Sequence, residues 1–136
     1  LKIYKMITHN LMGFYDKTDY FEMAENLDIA GNDQYPTGYY FEQPGQPAWE
    51  VAACYDFIRS VKKQPFWMLE MQAGATGGKL IGRTPQPGQL NLWTSQSVAH
   101  GADAIVYFRW RNCLYGTEQY WHGILPHSGV PGRSYG

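Results

Sequence analysis

Net charge is nearly absent from this sequence: 11 Lys and Arg stand against 12 Asp and Glu, leaving −1. With no basic field to gather a phosphate backbone, nucleic acid is not expected as a partner. Long apolar runs are missing as well. None approaches the roughly 20 residues that a bilayer requires, so a membrane span is not expected either. Cysteine is scarce, and Cys54 and Cys113 lie far apart without C-x-x-C spacing. A zinc site needs more ligands at closer spacing, so two free, partly buried thiols are expected and no metal. No G-x-G-x-x-G follows the first apolar run, and Gly77-Gly78-Lys79 is only a fragment of a Walker loop, so no nucleotide cofactor is implied. The lack of a G-x-S-x-G elbow disfavours ester hydrolysis. Leu1-Lys2-Ile3-Tyr4 offers neither an initiator Met nor a signal-peptide pattern. The expectation is a piece of a longer protein, cytoplasmic as far as this segment speaks.

What is present is aromatic: 16% of residues, with 11 Tyr and 5 Trp. Sugar-binding clefts use such rings, because the apolar face of a pyranose packs on them while hydroxyls find polar partners. Along the chain a short apolar run, a polar loop and a helical pattern recur. Ile3–Thr8, Leu27–Ala30, Phe66–Leu69 and Ala104–Phe108 read as strands. Residues 18–26, 48–62 and 89–100 read as helices, with Thr18 or Asp16 as a candidate N-cap for the first. Their expected buried faces are Tyr20, Phe21, Met23 and Ala24; Val51, Cys54, Tyr55 and Ile58; and Leu90, Trp93, Ser97 and Val98. Lys62-Lys63 suits the negative end of the second helix dipole. A further helical turn is expected around Glu118–His122.

Continuous apolar strands joined by helices indicate α/β architecture with a parallel sheet. All four strands run into chemistry-bearing groups: His9-Asn10, Asn32-Asp33, Glu70 and Arg109-Trp110. Convergence at that edge favours a partial (β/α)₈ barrel over an open sheet. The 136 residues fall well short of the about 250 of a whole barrel.

Glu70 is the strongest candidate. An acid directly after Phe66-Trp67-Met68-Leu69 is expensive to desolvate unless its site uses it. It reads as a glycosidase nucleophile, or else as a carboxylate tied to a base at the strand end. Asp33 can be imagined as the second carboxyl of such chemistry, although Gln34-Tyr35-Pro36 behind it is a turn-like context. Of Arg109 and Arg111, at most one is expected to point inward, the other being solvated. His100 reads as a helix-end capping residue, and His127 carries no signal of its own. Glu118 and His122, four apart, share a helical face as hydrogen-bonding groups rather than as a metal pair.

Five runs then carry a resemblance. They are Ile7-Thr8-His9-Asn10-Leu11-Met12-Gly13, Phe66-Trp67-Met68-Leu69-Glu70-Met71-Gln72, Ser97-Val98-Ala99-His100-Gly101-Ala102-Asp103, Tyr107-Phe108-Arg109-Trp110-Arg111 and Tyr120-Trp121-His122-Gly123. In this order they resemble the β-galactosidases of glycoside hydrolase family 42. The resemblance implies the last four βα units of a clan A retaining barrel acting on terminal β-galactose, with Glu70 as nucleophile at the end of the seventh strand. It further implies Tyr35 beside the nucleophile or the galactose, Trp110 as subsite floor, Phe108 in the wall, Asn10 as a polar contact near the fifth strand, and Glu118 and His122 on galactose hydroxyls. The acid/base Glu of an Asn-Glu pair would precede Leu1 with the rest of the barrel, and the family often forms trimers. Two departures stand out: Glu118 lies four residues before His122 where the family has three, and a Gly-rich run from Ala73 to Gly78 replaces a frequent Trp. A clan A glycosidase of other specificity and a non-catalytic carbohydrate-binding half-barrel are the competing readings.

Overall fold

In a computed structural model of the chain, residues 5–39, 44–77 and 82–135 are described. The expectations for Leu1–Tyr4 and for Gly78-Lys79 lie outside them. The elements in order are β1 (Thr8–Leu11), α1 (Tyr20–Ala24), β2 (Ile29–Gln34), α2 (Ala48–Lys62), β3 (Phe66–Gln72), α3 (Gln89–Ala99) and β4 (Ala102–Phe108). The strands form one parallel sheet in strict chain order, β1-β2-β3-β4. A doubly wound sheet would reverse that order at a switch point. Successive crossovers of one hand instead keep every helix on one face, and consecutive helices do pack on each other, α1 on α2 and α2 on α3. The chain is thus a partial (β/α)₈ barrel, an arc of four strands under a layer of three helices. No helix among the described residues is long and apolar enough to cross a membrane.

The helices form where the apolar period predicts them. Val51, Cys54, Tyr55 and Ile58 are the buried residues of α2, at the spacing of a single helical stripe. Of these, Val51, Tyr55 and Ile58 join Tyr20 and Trp93 in meeting Leu11, Ala30, Phe66, Met68 and Met71 of the strands in one core. Two residues of the expected buried faces are not buried: Phe21 and Val98 are more than half exposed. Each sits one position after a buried or half-buried stripe residue and is rotated off the stripe by the helical period. The N-cap of α1 is Asp19 rather than Thr18 or Asp16; its Oδ1 accepts from Phe21 N at 2.9 Å and Glu22 N at 3.2 Å. Lys62 Nζ donates to Ala24 O at 2.7 Å, so it caps the end of α1 instead of its own helix. Residues around Glu118 form hydrogen-bonded turns, with Trp121 N donating to Glu118 O at 3.0 Å.

Strand limits differ from the expected ones at their polar ends. β1 starts at Thr8 and contains His9-Asn10; β2 runs to Gln34 and contains Asn32 and Asp33; β3 continues through Glu70 to Gln72. Polar residues that serve a site stay in the ladder, so polarity alone misplaces the strand end.

The register carries one irregularity that aims the site. Asn32 pairs with Met68 but Asp33 pairs with Glu70, and on the other side Met68 pairs with Ile105 while Met71 pairs with Tyr107. Between Met68 and Met71, strand β3 therefore holds one residue more than either neighbour, a β-bulge over Leu69-Glu70; between Phe66 and Trp67 it is β4 that carries the extra residue. Phe66 and Met68 face the helices in the core, as does Met71. Strict alternation from Met68 would have put Glu70 among the helices. The extra residue turns it to the opposite, barrel-interior face.

Candidate active site

Four side chains, three from neighbouring strands and Tyr35 from just after β2, converge at the C-terminal edge of the sheet. From β3, Glu70 Oε2 accepts from the Tyr35 hydroxyl at 2.6 Å, and Glu70 Oε1 lies 3.4 Å from Asn10 Nδ2. The same Asn10 nitrogen donates to Asp33 Oδ1 at 2.9 Å and Oδ2 at 3.1 Å. Parallel pairing explains the assembly: Asp33 and Glu70 are register partners on neighbouring strands, and Tyr35 lies two residues beyond Asp33 on the same side. Asp33 is 8% exposed and Tyr35 3%. Burial and the neighbouring Glu70 carboxylate push Asp33 up to about 7, against the lowering effect of the Asn10 hydrogen bond. Burial, with the hydrogen bond to Glu70 second, pushes the Tyr35 phenol far above its ordinary range, so it is a fixed donor to that carboxylate.

An aromatic wall flanks this group. Trp121 meets Tyr35 edge-on with ring centroids 4.9 Å apart, and it also meets Phe108 at 6.3 Å and Tyr39 at 6.4 Å. Phe108 in turn is 6.5 Å from Tyr35. The segment bearing Trp121 is fastened to the strand ends through its backbone: His122 N donates to Ala75 O and Ile124 N to Arg109 O, both at 2.8 Å. Gly74 permits that approach, since a Cβ there would stand 2.6 Å from His122 O.

Arg109 ties the wall to the last segment. Its guanidinium sits 4.6 Å from the centre of the Phe108 ring, its Nη2 donates to Glu118 Oε2 at 2.9 Å, and its Nη1 contacts Cys113 Sγ. Arg111 is exposed, so one arginine of the two turns inward; β4 ends at Phe108, and the strand period, which would put residues two apart on one face, does not extend to them. The His122 imidazole lies 5.9 Å from that of His127; burial first and His127 second lower its pKa, keeping it neutral as a donor and acceptor. His100 is the C-cap of α3 and pairs through Nδ1 with Asp56 at 2.7 Å, away from this site. Both cysteines are free. Burial, with Glu50 second, pushes Cys54 up to about 11, so it remains a protonated packing residue. No cluster of metal-ligating residues occurs among the described residues.

The structure thus groups Asn10, Tyr35, Glu70 and Phe108, with Glu118 attached through Arg109 and His122 through its own loop. Trp110 is placed differently. It is 63% exposed, its ring meets Tyr135 at 6.2 Å, and it lines a cleft of about 570 Å³ with Pro85, Leu90 and Val106 beside β4. Two members escaped the sequence reading. Asp33 precedes a turn-like Gln34-Tyr35-Pro36 that hides its place in β2, and Trp121 lies in a loop that has no period to flag it.

The sequence model of a family described as β-galactosidase matches residues 2–136. A β-galactosidase of Haloferax lucentense is 40% identical over 139 residues, which is 95% of this chain and 21% of that protein. One from Clostridium cellulovorans is 39% identical over 94% of the chain and 18% of its own length. Among solved structures, a polyextremophilic β-galactosidase of Halorubrum lacusprofundi superposes with a TM-score of 0.84 at 36% identity, covering 96% of this chain and 21% of that one. A GH42 β-galactosidase from G. stearothermophilus gives 0.79 at 27% identity, over 96% and 20%. The chain therefore spans about a fifth of the length of the relatives it matches. On the family match and these identities, the chain belongs to the β-galactosidases of glycoside hydrolase family 42.

Proposed function

We propose that this chain supplies the nucleophile side of a retaining β-galactosidase active site, as the C-terminal half of a catalytic barrel whose other half carries the acid/base. The observation that carries this reading is the Glu70 carboxylate, turned to the barrel-interior face and held at 2.6 Å by the Tyr35 hydroxyl beside the Trp121 and Phe108 rings. Glu70 Oε1, with only a 3.4 Å contact to Asn10, keeps the fuller charge and is the attacking atom. It forms an ester bond to the anomeric carbon as the glycosidic C–O bond breaks, and the leaving oxygen takes a proton from a second carboxyl. Water then attacks the same carbon while giving its proton to the second carboxyl, now ionised; the ester C–O bond breaks, and Glu70 departs as a carboxylate.

Asp33 cannot be that second carboxyl. It is buried beside Glu70 at the same level of the sheet and tied to Asn10, whereas the acid must reach the leaving oxygen across the sugar. The acid/base therefore comes from residues beyond these 136, and the isolated chain is expected not to turn over a nitrophenyl galactoside. Asn10, Phe108, Glu118 and His122 are proposed galactose contacts, with Trp121, which packs on Tyr35, proposed for the stacking role that the resemblance gives to Trp110.

The test is Glu70→Gly in the complete enzyme. Activity should vanish and return with azide as an external nucleophile, yielding the galactosyl azide of opposite anomeric configuration. Retention of more than a tenth of the parent kcat by the variant without azide would remove Glu70 from the reaction.

A further inference from the structure

We infer that Asp33 is a positioning residue for the nucleophile, acting through the Asn10 amide; this rests on the reading of Glu70 as that nucleophile. A side-chain amide nitrogen carries two hydrogens. At Asn10, one is committed to the Asp33 carboxylate, whose oxygens lie 2.9 and 3.1 Å away, and the other is left directed at Glu70 Oε1, 3.4 Å away. Asn10 itself is exposed, one residue before the end of a four-residue strand. Unanchored, its amide would swing over a broad terminal torsion. Glu70 would then be held by Tyr35 at one oxygen alone, free to rotate its other oxygen off line. Attack on an anomeric carbon needs that oxygen within a near-attack geometry, about 3–3.5 Å and aligned.

The placement of Asp33 is itself rigid. It lies inside β2, in register with Glu70 across the bulge, and is not a loop residue. The groups that face it are Glu70 from β3, Asn10 from β1, Tyr35 and Tyr39 from the segment after β2, and Tyr20 from α1. Glu50 of α2 lines the same cleft. None of these is a cation. A buried acid beside a like charge and without a base costs stability. A residue kept only for packing would be cheaper as Asn, whereas the acid offers two acceptor oxygens to one amide. With burial and Glu70 pushing it up to about 7, Asp33 also changes charge near neutral pH, where its grip on Asn10 changes with it.

The test uses the complete enzyme. Asp33→Ala should lower kcat about 10- to 100-fold with KM within about threefold, as loss of alignment without loss of sugar contacts requires. Asp33→Asn, which keeps one acceptor for Asn10, should recover part of that loss and abolish a titration near 7 in the pH profile of kcat/KM. Asn10→Ala cuts the same link from the other side, so the double variant D33N/N10A should be no slower than N10A. A rise in KM at unchanged kcat, additive effects of D33N and N10A, or a D33N profile superimposable on the parent would each overturn the proposal. If D33A does not fold, D33N and N10A with native circular dichroism decide it. Glu70→Gly separates the two readings: should it remain active, the nucleophile assignment fails first, whatever Asp33 does.

Discussion

Tyr35 and Glu70 are joined by a 2.6 Å hydrogen bond in which the phenol donates to Oε2. Its strength depends on the charge of the carboxylate, and that charge changes in the two half-reactions. It falls as Glu70 attacks and is restored as Glu70 leaves the sugar. The bond therefore assists departure more than attack. Tyr35→Phe removes a hydrogen bond to a charged group, worth roughly 1.5–3 kcal/mol, or about 10- to 100-fold in rate. Deglycosylation should become limiting, so kcat falls, KM falls with it, and the first turnover appears as a burst of aglycone. A lower kcat with raised KM and no burst would show instead that Tyr35 serves mainly to bind sugar.

Asp33 makes stability depend on pH with a definite sign. Its folded-state pKa of about 7 lies above its ordinary 3.8. Between these values the folded protein binds more protons than the unfolded chain, so stability falls as pH rises through the window and levels off above it. The difference between the two values corresponds to about 4 kcal/mol at most. Asp33→Asn removes the penalty. Relative to the parent, the variant should gain thermal stability on going from about pH 5 to about pH 8, and thermal unfolding of the complete enzyme at the two pH values measures it. Parallel pH dependences for parent and variant would mean that Asp33 is not the group that titrates.

Gly31 and Leu69 face each other across the bulge. A Cβ at position 31 would collide with the Leu69 side chain and stand 2.7 Å from the backbone oxygen of His9. Leucine can rotate away, but a strand carbonyl cannot. Gly31→Ala should destabilise the fold by about 1–3 kcal/mol through overpacking. Because Leu69 and Glu70 together form the bulge, displacement of Leu69 should also move Glu70. A loss of activity larger than the loss of folded protein, read from kcat against thermal midpoint, is the expected signature. An alanine variant of full activity and unchanged midpoint would mean that the bulge tolerates a side chain opposite it.

What could be read in the sequence follows from what sets each feature. The stripe Val51, Cys54, Tyr55 and Ile58 was legible because burial on one helix face imposes a period on the chain itself. Glu70 was legible because a lone carboxylate at the end of an apolar strand is costly without a use. The bulge was not, since it is a mismatch among three strands distant in sequence and leaves no local mark. Asp33 looked like a turn residue for the same reason. Only the partner strands show that it is still in the ladder beside Glu70.

Two tryptophans now compete for the sugar-binding role. Resemblance to the family implies Trp110, whereas the geometry puts Trp121 on the Tyr35 ring that holds Glu70, with Phe108 and Tyr39 around it. Trp110 instead leans on Tyr135 and is mostly exposed. An aromatic contact contributes roughly 0.5–1.5 kcal/mol beyond the area it buries. A ring that both stacks on sugar and braces Tyr35 loses more than that on truncation. Trp121→Ala is therefore expected to lower kcat/KM by at least about tenfold, a loss of 1.4 kcal/mol or more, and Trp121→Phe to restore part of it. Trp110→Ala should stay within about threefold of the parent. The reverse order would return the floor of the galactose site to Trp110 and leave Trp121 as packing for Tyr35, which a lowered thermal midpoint in the Trp121 variant would register independently.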